Sequence, residues 1–128
     1  MKLKFKIIIG IVILFVIFIF LRSNEDSWIK DDTGEYAEHG VPSNIPDYVI
    51  EQTNAISCAL NLYKEKKAEN MIFDSQCLGT CDKFAVDIVH VPRNTDDDIK
   101  ENQCLDYVDG KVSNFIELDQ EGSIFRIE

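Results

Sequence analysis

Histidine is scarce here: His39 and His90 are the two in 128 residues. No HExxH, nucleophile-elbow serine or phosphate-cradling glycine loop occurs, which removes the zinc-protease, serine-hydrolase and P-loop signatures. Basic charge is also thin, with 13 Lys and Arg against 23 Asp and Glu. Lys2, Lys4, Lys6 and Arg22 precede every acidic residue, so the chain after Arg22 carries a net −14. Such a field disfavours nucleic acid and anionic lipid, and suits solubility or a basic protein partner. There is no internal repeat and no low-complexity run, and oligomeric state is left open.

The exit of the first apolar run lacks two further things. Leu21-Arg22-Ser23-Asn24 offers no small-x-small pair for a signal peptidase, and no Cys follows to carry a lipid. Residues 7–21 are uninterrupted apolar sequence. Counted over residues 3–21, with Lys4 and Lys6 reaching back toward head groups, a helix covers about 28 Å, enough for a hydrocarbon core of ~30 Å. The expectation is an uncleaved signal-anchor over residues 1–22. Lys2, Lys4 and Lys6 outweigh Arg22, which keeps the N-terminus cytoplasmic and the rest outside the cell membrane.

Residues 23–45 show neither helical nor strand period and read as a flexible acidic tether, with Trp28 suited to the interfacial layer. A small α+β domain is expected over residues 46–128. Its helix begins after Asn44 as cap and runs from Tyr48 toward Asn70. Ala55 and Ala59 centre its apolar face. Residues 84–91 (FAVDIVHV) read as a strand stopped by Pro92. The tail reads as an antiparallel meander. Asp109-Gly110 is placed at one hairpin, and Gly122 at another that sets Glu117 opposite Phe125 and Phe115 opposite Ile127. The fold class is therefore α+β, one amphipathic helix on a small antiparallel sheet of three to four strands. Apolar residues on both sheet faces point to a second covered face, open to a partner.

Four cysteines, Cys58, Cys77, Cys81 and Cys104, fall in this domain. A small exterior domain short of core is where disulfides accumulate. Four cysteines allow three pairings, and those joining Cys58 to Cys77 or Cys81, with Cys104 taking the other, tie helix, loop and sheet together. The rival Cys₄ metal site has one close pair, Cys77 and Cys81, where zinc ribbons use two.

His90-Val-Pro-Arg-Asn-Thr-Asp-Asp-Asp, followed by Glu101 and Cys104, is the densest reactive run. Its structural reading is a strand end, then Thr95 capping a short helix whose first turn holds Asp96, Asp97 and Asp98. Its functional reading is a polar or cation-binding patch of His90, Arg93, Asp97, Asp98 and Glu101. Asp97 and Glu101, four apart, would share a helix face and with Asp98 could hold Ca²⁺, although no Gly-containing EF-hand loop is present. Arg93 could clamp a carboxylate. Asp87 and His90, three apart on a strand, face opposite sides and make no dyad. No catalytic residue, metal set or other cofactor is assigned. The leading expectation is a membrane-anchored extracytoplasmic binding or accessory module. Its rivals are a metal-dependent or carboxylate enzyme centred on residues 90–101, and an inhibitor of a basic exterior protein.

Overall fold

A computed structural model describes residues 2–22 and 27–128, with side chains described for residues 6–19 and from 27 onward. The described chain divides into two compact units. One joins the N-terminal segment to residues 37–45, and the other joins residues 30–36 to 46–128.

In the first unit, helix α1 spans Lys2–Arg22. Its apolar side chains from Ile7 to Ile19 are 43–69% exposed on every side of the helix. Among the described residues no helix is long and apolar enough to cross a membrane. The span expected over residues 3–21 extends at both ends beyond the described side chains, and residues 23–26 of the expected tether lie outside the described residues. Residues 27–39, of which 30–36 belong to the second unit, differ from the tether reading. Strands β1 (Ser27–Lys30) and β2 (Tyr36–His39) form a two-stranded sheet. Asp31 Oδ1 organises its turn by accepting from Thr33 N, Thr33 Oγ1 and Glu35 N. Two of these are local backbone-to-side-chain bonds and the third joins two side chains, and none leaves a periodic mark in the sequence. Trp28 Nε1 donates to Asn44 O.

In the second unit, helix α2 spans Asp47–Ala68. Pro46 stands at its start without a side-chain cap, so Asn44 is not the cap. Asn70, at φ +60°, closes the far end, with Met71 N donating to Lys66 O and Asn70 N to Lys67 O. The buried face is Val49, Gln52, Ala55, Ala59 and Tyr63, and both expected centre residues are on it. Gln52 is polar on that face because it bonds the hairpin tip: its amide donates to Gly34 O and accepts from Tyr36 N.

The main sheet has the order β3-β4-β5-β6, with β3 Gln76–Cys81, β4 Phe84–Ile88, β5 Asn114–Leu118 and β6 Ile124–Ile127. It is mixed, not antiparallel throughout, because β4 and β5 run parallel. A parallel pair needs a long crossover, here residues 89–113. The expected hairpin at Asp109-Gly110 is instead the end of a one-turn helix, α3 (Leu105–Val108). Gly110, at φ +72°, donates to Tyr107 O and Lys111 N donates to Asp106 O. Asp-Gly serves a left-handed helix end as readily as a tight hairpin.

The β5–β6 hairpin forms, with Gly122 at φ +89° under the Tyr63 ring. Leu118 pairs with Ile124, but a bulge then puts Arg126 opposite Glu117 and Ile127 opposite Ile116. One inserted residue reverses the facing of everything beyond it. Ile127 therefore joins Ile116 on the helix side, and Phe115 does not follow it.

That leaves two faces. Beneath α2 lie Phe84, Val86, Ile88, Ile116, Leu118 and Ile127. Opposite lie Ala85 and Phe115, covered by Cys104, Tyr107 and Val112 of the crossover. The second apolar face is thus covered by the chain itself and not left open for a partner. The disulfides are Cys58–Cys81 and Cys77–Cys104, with no free cysteine. A bulge between Cys77 and Gly79 turns what would be same-side positions to opposite sides. Cys81, opposite Phe84, reaches the helix. Cys77, opposite Asp87, reaches the crossover.

Candidate functional site

The crossover passes over β4 and β5 and closes a cleft of about 210 Å³ against the sheet. Asp87, Glu117, Arg93, Arg126, Asp97 and Tyr107 are among its walls. Asp87 and Glu117 are register partners on the parallel strands, so both project into the cleft.

Directly after β4 the chain bends through His90 and the cis Val91–Pro92 bond. Asn94, one residue before the expected Thr95, is the cap. Its Oδ1 accepts from Asp96 N, while Asp97 Oδ2 accepts from Asn94 N in return. The reciprocal pair is the capping box, shifted by one residue and closed by Asp97 instead of Asp98. The expected single helix to Cys104 is two 3-10 turns, Thr95–Asp98 and Lys100–Asn102, broken at Ile99, whose ψ of 123° is extended. With no continuous helix, Asp97 and Glu101 do not share a face. Glu101 lines a different groove, beside Cys77 and Cys104.

His90, Arg93, Asp97 and Asp98 are brought together. His90 Nδ1 meets Asp97 Oδ1 at 3.1 Å, His90 N donates to the same oxygen, and His90 Nε2 meets Asp74 Oδ1 at 2.7 Å. Two carboxylates at the two ring nitrogens favour the imidazolium. The Asp97 hydrogen bond is the largest influence and raises the His90 pKa; burial comes next and opposes it, and the charges of Asp97 and Asp74 add to the rise. Asp97 is 3% exposed. Burial pushes its carboxyl up, but the bonds from Asn94 N, His90 N and the His90 ring outweigh this and hold it below the usual carboxylate range. Arg93 donates to Glu117 Oε1, to Asp98 Oδ1 at 2.9 Å and to Asp97 O at 3.2 Å. The carboxylates it clamps belong to its own chain. On the far side Arg126 Nε donates to Glu117 Oε2 at 3.1 Å, and its guanidinium lies 4.8 Å from the Phe115 ring centre.

Sequence reasoning missed Asp87, Glu117, Arg126 and Asp74. The signal for the first two is a lone carboxylate inside an apolar strand, FAVDI and NFIEL. Glu117, gripped by two guanidinium groups, has its charge matched. Asp87 accepts one hydrogen bond, from Cys104 N to Oδ1 at 3.1 Å. Desolvation, with the negative charge of Glu117 adding to it, pushes the Asp87 pKa to about 6 against the opposing Cys104 bond and Arg93. Asp87 is therefore ionised at a cost. That cost is absent in acid, sets in above the ordinary carboxylate range and is complete above about pH 6.

Chemically, this arrangement holds the crossover to the sheet by ion pairs and keeps one carboxyl, Asp87, poised for proton exchange near neutrality. Comparison with protein-family models, curated proteins and solved structures gives no match.

Proposed function

We propose that the chain is a single-pass membrane protein that presents residues 46–128, with the docked hairpin tip, as a binding or accessory module on the exterior side. Residues 3–21 are its anchor and Lys2, Lys4 and Lys6 its cytoplasmic flank. The observation that carries this reading is the pair of disulfides, which consume all four cysteines in one small domain. Such bonds form and persist on the oxidising side of a membrane. An apolar helix exposed on all sides adds support, because such a surface is stable only in lipid or against a partner. The net −14 beyond Arg22 selects a basic protein as the partner class.

The test is thiol labelling of intact cells, followed by mass analysis of the full-length, non-reduced protein. Full-length mass, four oxidised cysteines and protease attack on residues 46–128 from outside are expected. Recovery of four free thiols, or protection of the C-terminal domain within the cytosol, overturns the reading.

A further inference from the structure

We propose that Cys77–Cys104 is a redox-active disulfide that exchanges with an external dithiol, with Asp87 as the proton donor to Cys104. Four features of the site meet in this assignment. Cys77 is exposed, whereas Cys104 is 1% exposed, so the bond has one attackable and one protected sulfur. Alongside them runs an open groove of about 510 Å³, walled by both cysteines, Gly79, Thr80, Glu101 and Leu105. A carboxylate oxygen of Asp87 and both sulfurs lie within 4.8 Å of one another. One bridging water spans such a distance for proton transfer. Asp87 also lines the polar cleft on its other side, which gives its proton a route to solvent.

A substrate thiolate in the groove attacks Cys77 Sγ, and a bond forms between the substrate sulfur and Cys77. The Cys77–Cys104 bond breaks, and its electron pair leaves on Cys104 Sγ, which takes the proton of the Asp87 carboxylic acid. The second substrate thiolate then attacks the substrate sulfur of the mixed disulfide and releases Cys77 as thiolate, which solvent protonates. The substrate is oxidised to a disulfide and the protein is reduced to a dithiol, two electrons in all. An external disulfide reverses the sequence, with the Asp87 carboxylate now removing the Cys104 proton. A base is needed there. The carbonyl oxygens of Gly79 and Val86 stand 3.3 and 3.4 Å from Cys104 Sγ, and they favour the neutral thiol once the bond is open.

Cys58–Cys81 also joins a half-buried residue to a buried one, beside a cleft lined by Glu51 and Asp82, and differs in how its carboxylates are placed. Among the described residues no carboxylate forms a comparable cluster with that pair. The groups facing Asp87 are Glu117 on β5, Arg126 on β6, Arg93 before the first 3-10 turn, Asp97 and Asp98 on that turn, and Tyr107 on α3. Burial, then Glu117, raises its pKa to about 6, so it changes state in the range where exterior thiol chemistry operates.

The test treats the full-length folded protein in detergent with dithiothreitol and quenches by alkylation, with mass mapping of each cysteine. Cys77–Cys104 is expected to open at least about a hundredfold faster than Cys58–Cys81, the modest end of proton-transfer catalysis. Corrected for reagent thiolate, its rate is expected to fall as pH rises through about 6. Asp87→Asn keeps an oxygen for Cys104 N. It is expected to flatten that profile and slow opening at pH 5 by about a hundredfold. Circular dichroism and non-reduced mass establish that the variant is folded and oxidised. Opening of both disulfides together at the unfolding rate, in the wild type alone, overturns the proposal. So does an unchanged profile in the folded variant. Neither result bears on membrane anchoring, which is read separately by topology.

Discussion

Under α2 the sheet presents Val86, Ile88, Ile116, Leu118 and Ile127, each 2% exposed or less. On its other face the same strands present Ala85, Asp87, Phe115 and Glu117, under a crossover with little regular structure. The first face is held by apolar burial, which carries no group titrating near neutral pH. The second is held by charge, by one disulfide and by a small aromatic cluster in which Tyr107 meets Phe115 edge-on at 5.3 Å. Each face has its own cystine, Cys58–Cys81 toward the helix and Cys77–Cys104 toward the crossover. The contrast teaches that a domain of this size can put its stability on one face and its reactive groups on the other.

The sharpest way to break this contrast is to damage the helix face and ask whether pH matters. Ile116→Ala removes a fully buried side chain from the centre of that face. It is expected to cost about 3–4 kcal/mol in denaturant unfolding with disulfides intact, by lost transfer energy and a residual cavity. The cost should be equal at pH 5 and pH 8. A cost that changes between those values would mean that the two faces are energetically coupled.

Glu117→Gln is the matching cut on the crossover face. It removes the charge held by Arg93 and Arg126, both of which stay partly exposed and so keep some hydration. A loss of about 2 kcal/mol is expected, below the 3–5 kcal/mol for a fully buried broken pair. Hydrogen exchange should accelerate across residues 90–112 while α2 stays protected. Equal acceleration in α2 would merge the faces into one cooperative unit.

The two faces also differ in how readable they were. α2 was legible because Ala55 and Ala59 recur at helical spacing with apolar flanks, and a period of that kind survives any tertiary context. The disulfide pairing fell within the expected set because few pairings tie all the elements together. The crossover face was opaque for three physical reasons. Asp109-Gly110 suits two backbone closures. The bulges at Cys77–Gly79 and at Phe125 each reverse facing by one residue; Gly79 is the one sequence mark of the first, and nothing in the composition marks the second. Parallel pairing of β4 and β5 follows from the sheet as a whole and not from either strand. Of the expected patch, His90, Arg93, Asp97 and Asp98 gathered because the 90–98 turn is tight and locally capped. Glu101 departed because Ile99 takes an extended backbone. Asp87 and Glu117 looked like interruptions of apolar strands, yet they line the cleft.

The smallest expected effect belongs to His90, and its sign is informative. Its two carboxylate partners raise its pKa in the folded state. The stabilisation they give is therefore complete below the unfolded value, about 6.5, and fades as pH rises through the folded value. Asp87 acts in the same direction, because its buried charge penalises folding above about pH 6. Asp97 acts the other way, since its lowered pKa makes its contribution present above the ordinary carboxylate range and lost in stronger acid. The crossover face should thus be firmest in mild acid. In His90→Gln the denaturation midpoint should fall further below wild type at pH 5.5 than at pH 8, and the difference should shrink steadily between them. A difference that grows toward pH 8 would mean that His90 is held neutral. The Asp97–His90–Asp74 chain would then be a set of ordinary hydrogen bonds, and the charge-based account of this face would have to rest on Arg93, Arg126 and Glu117 alone.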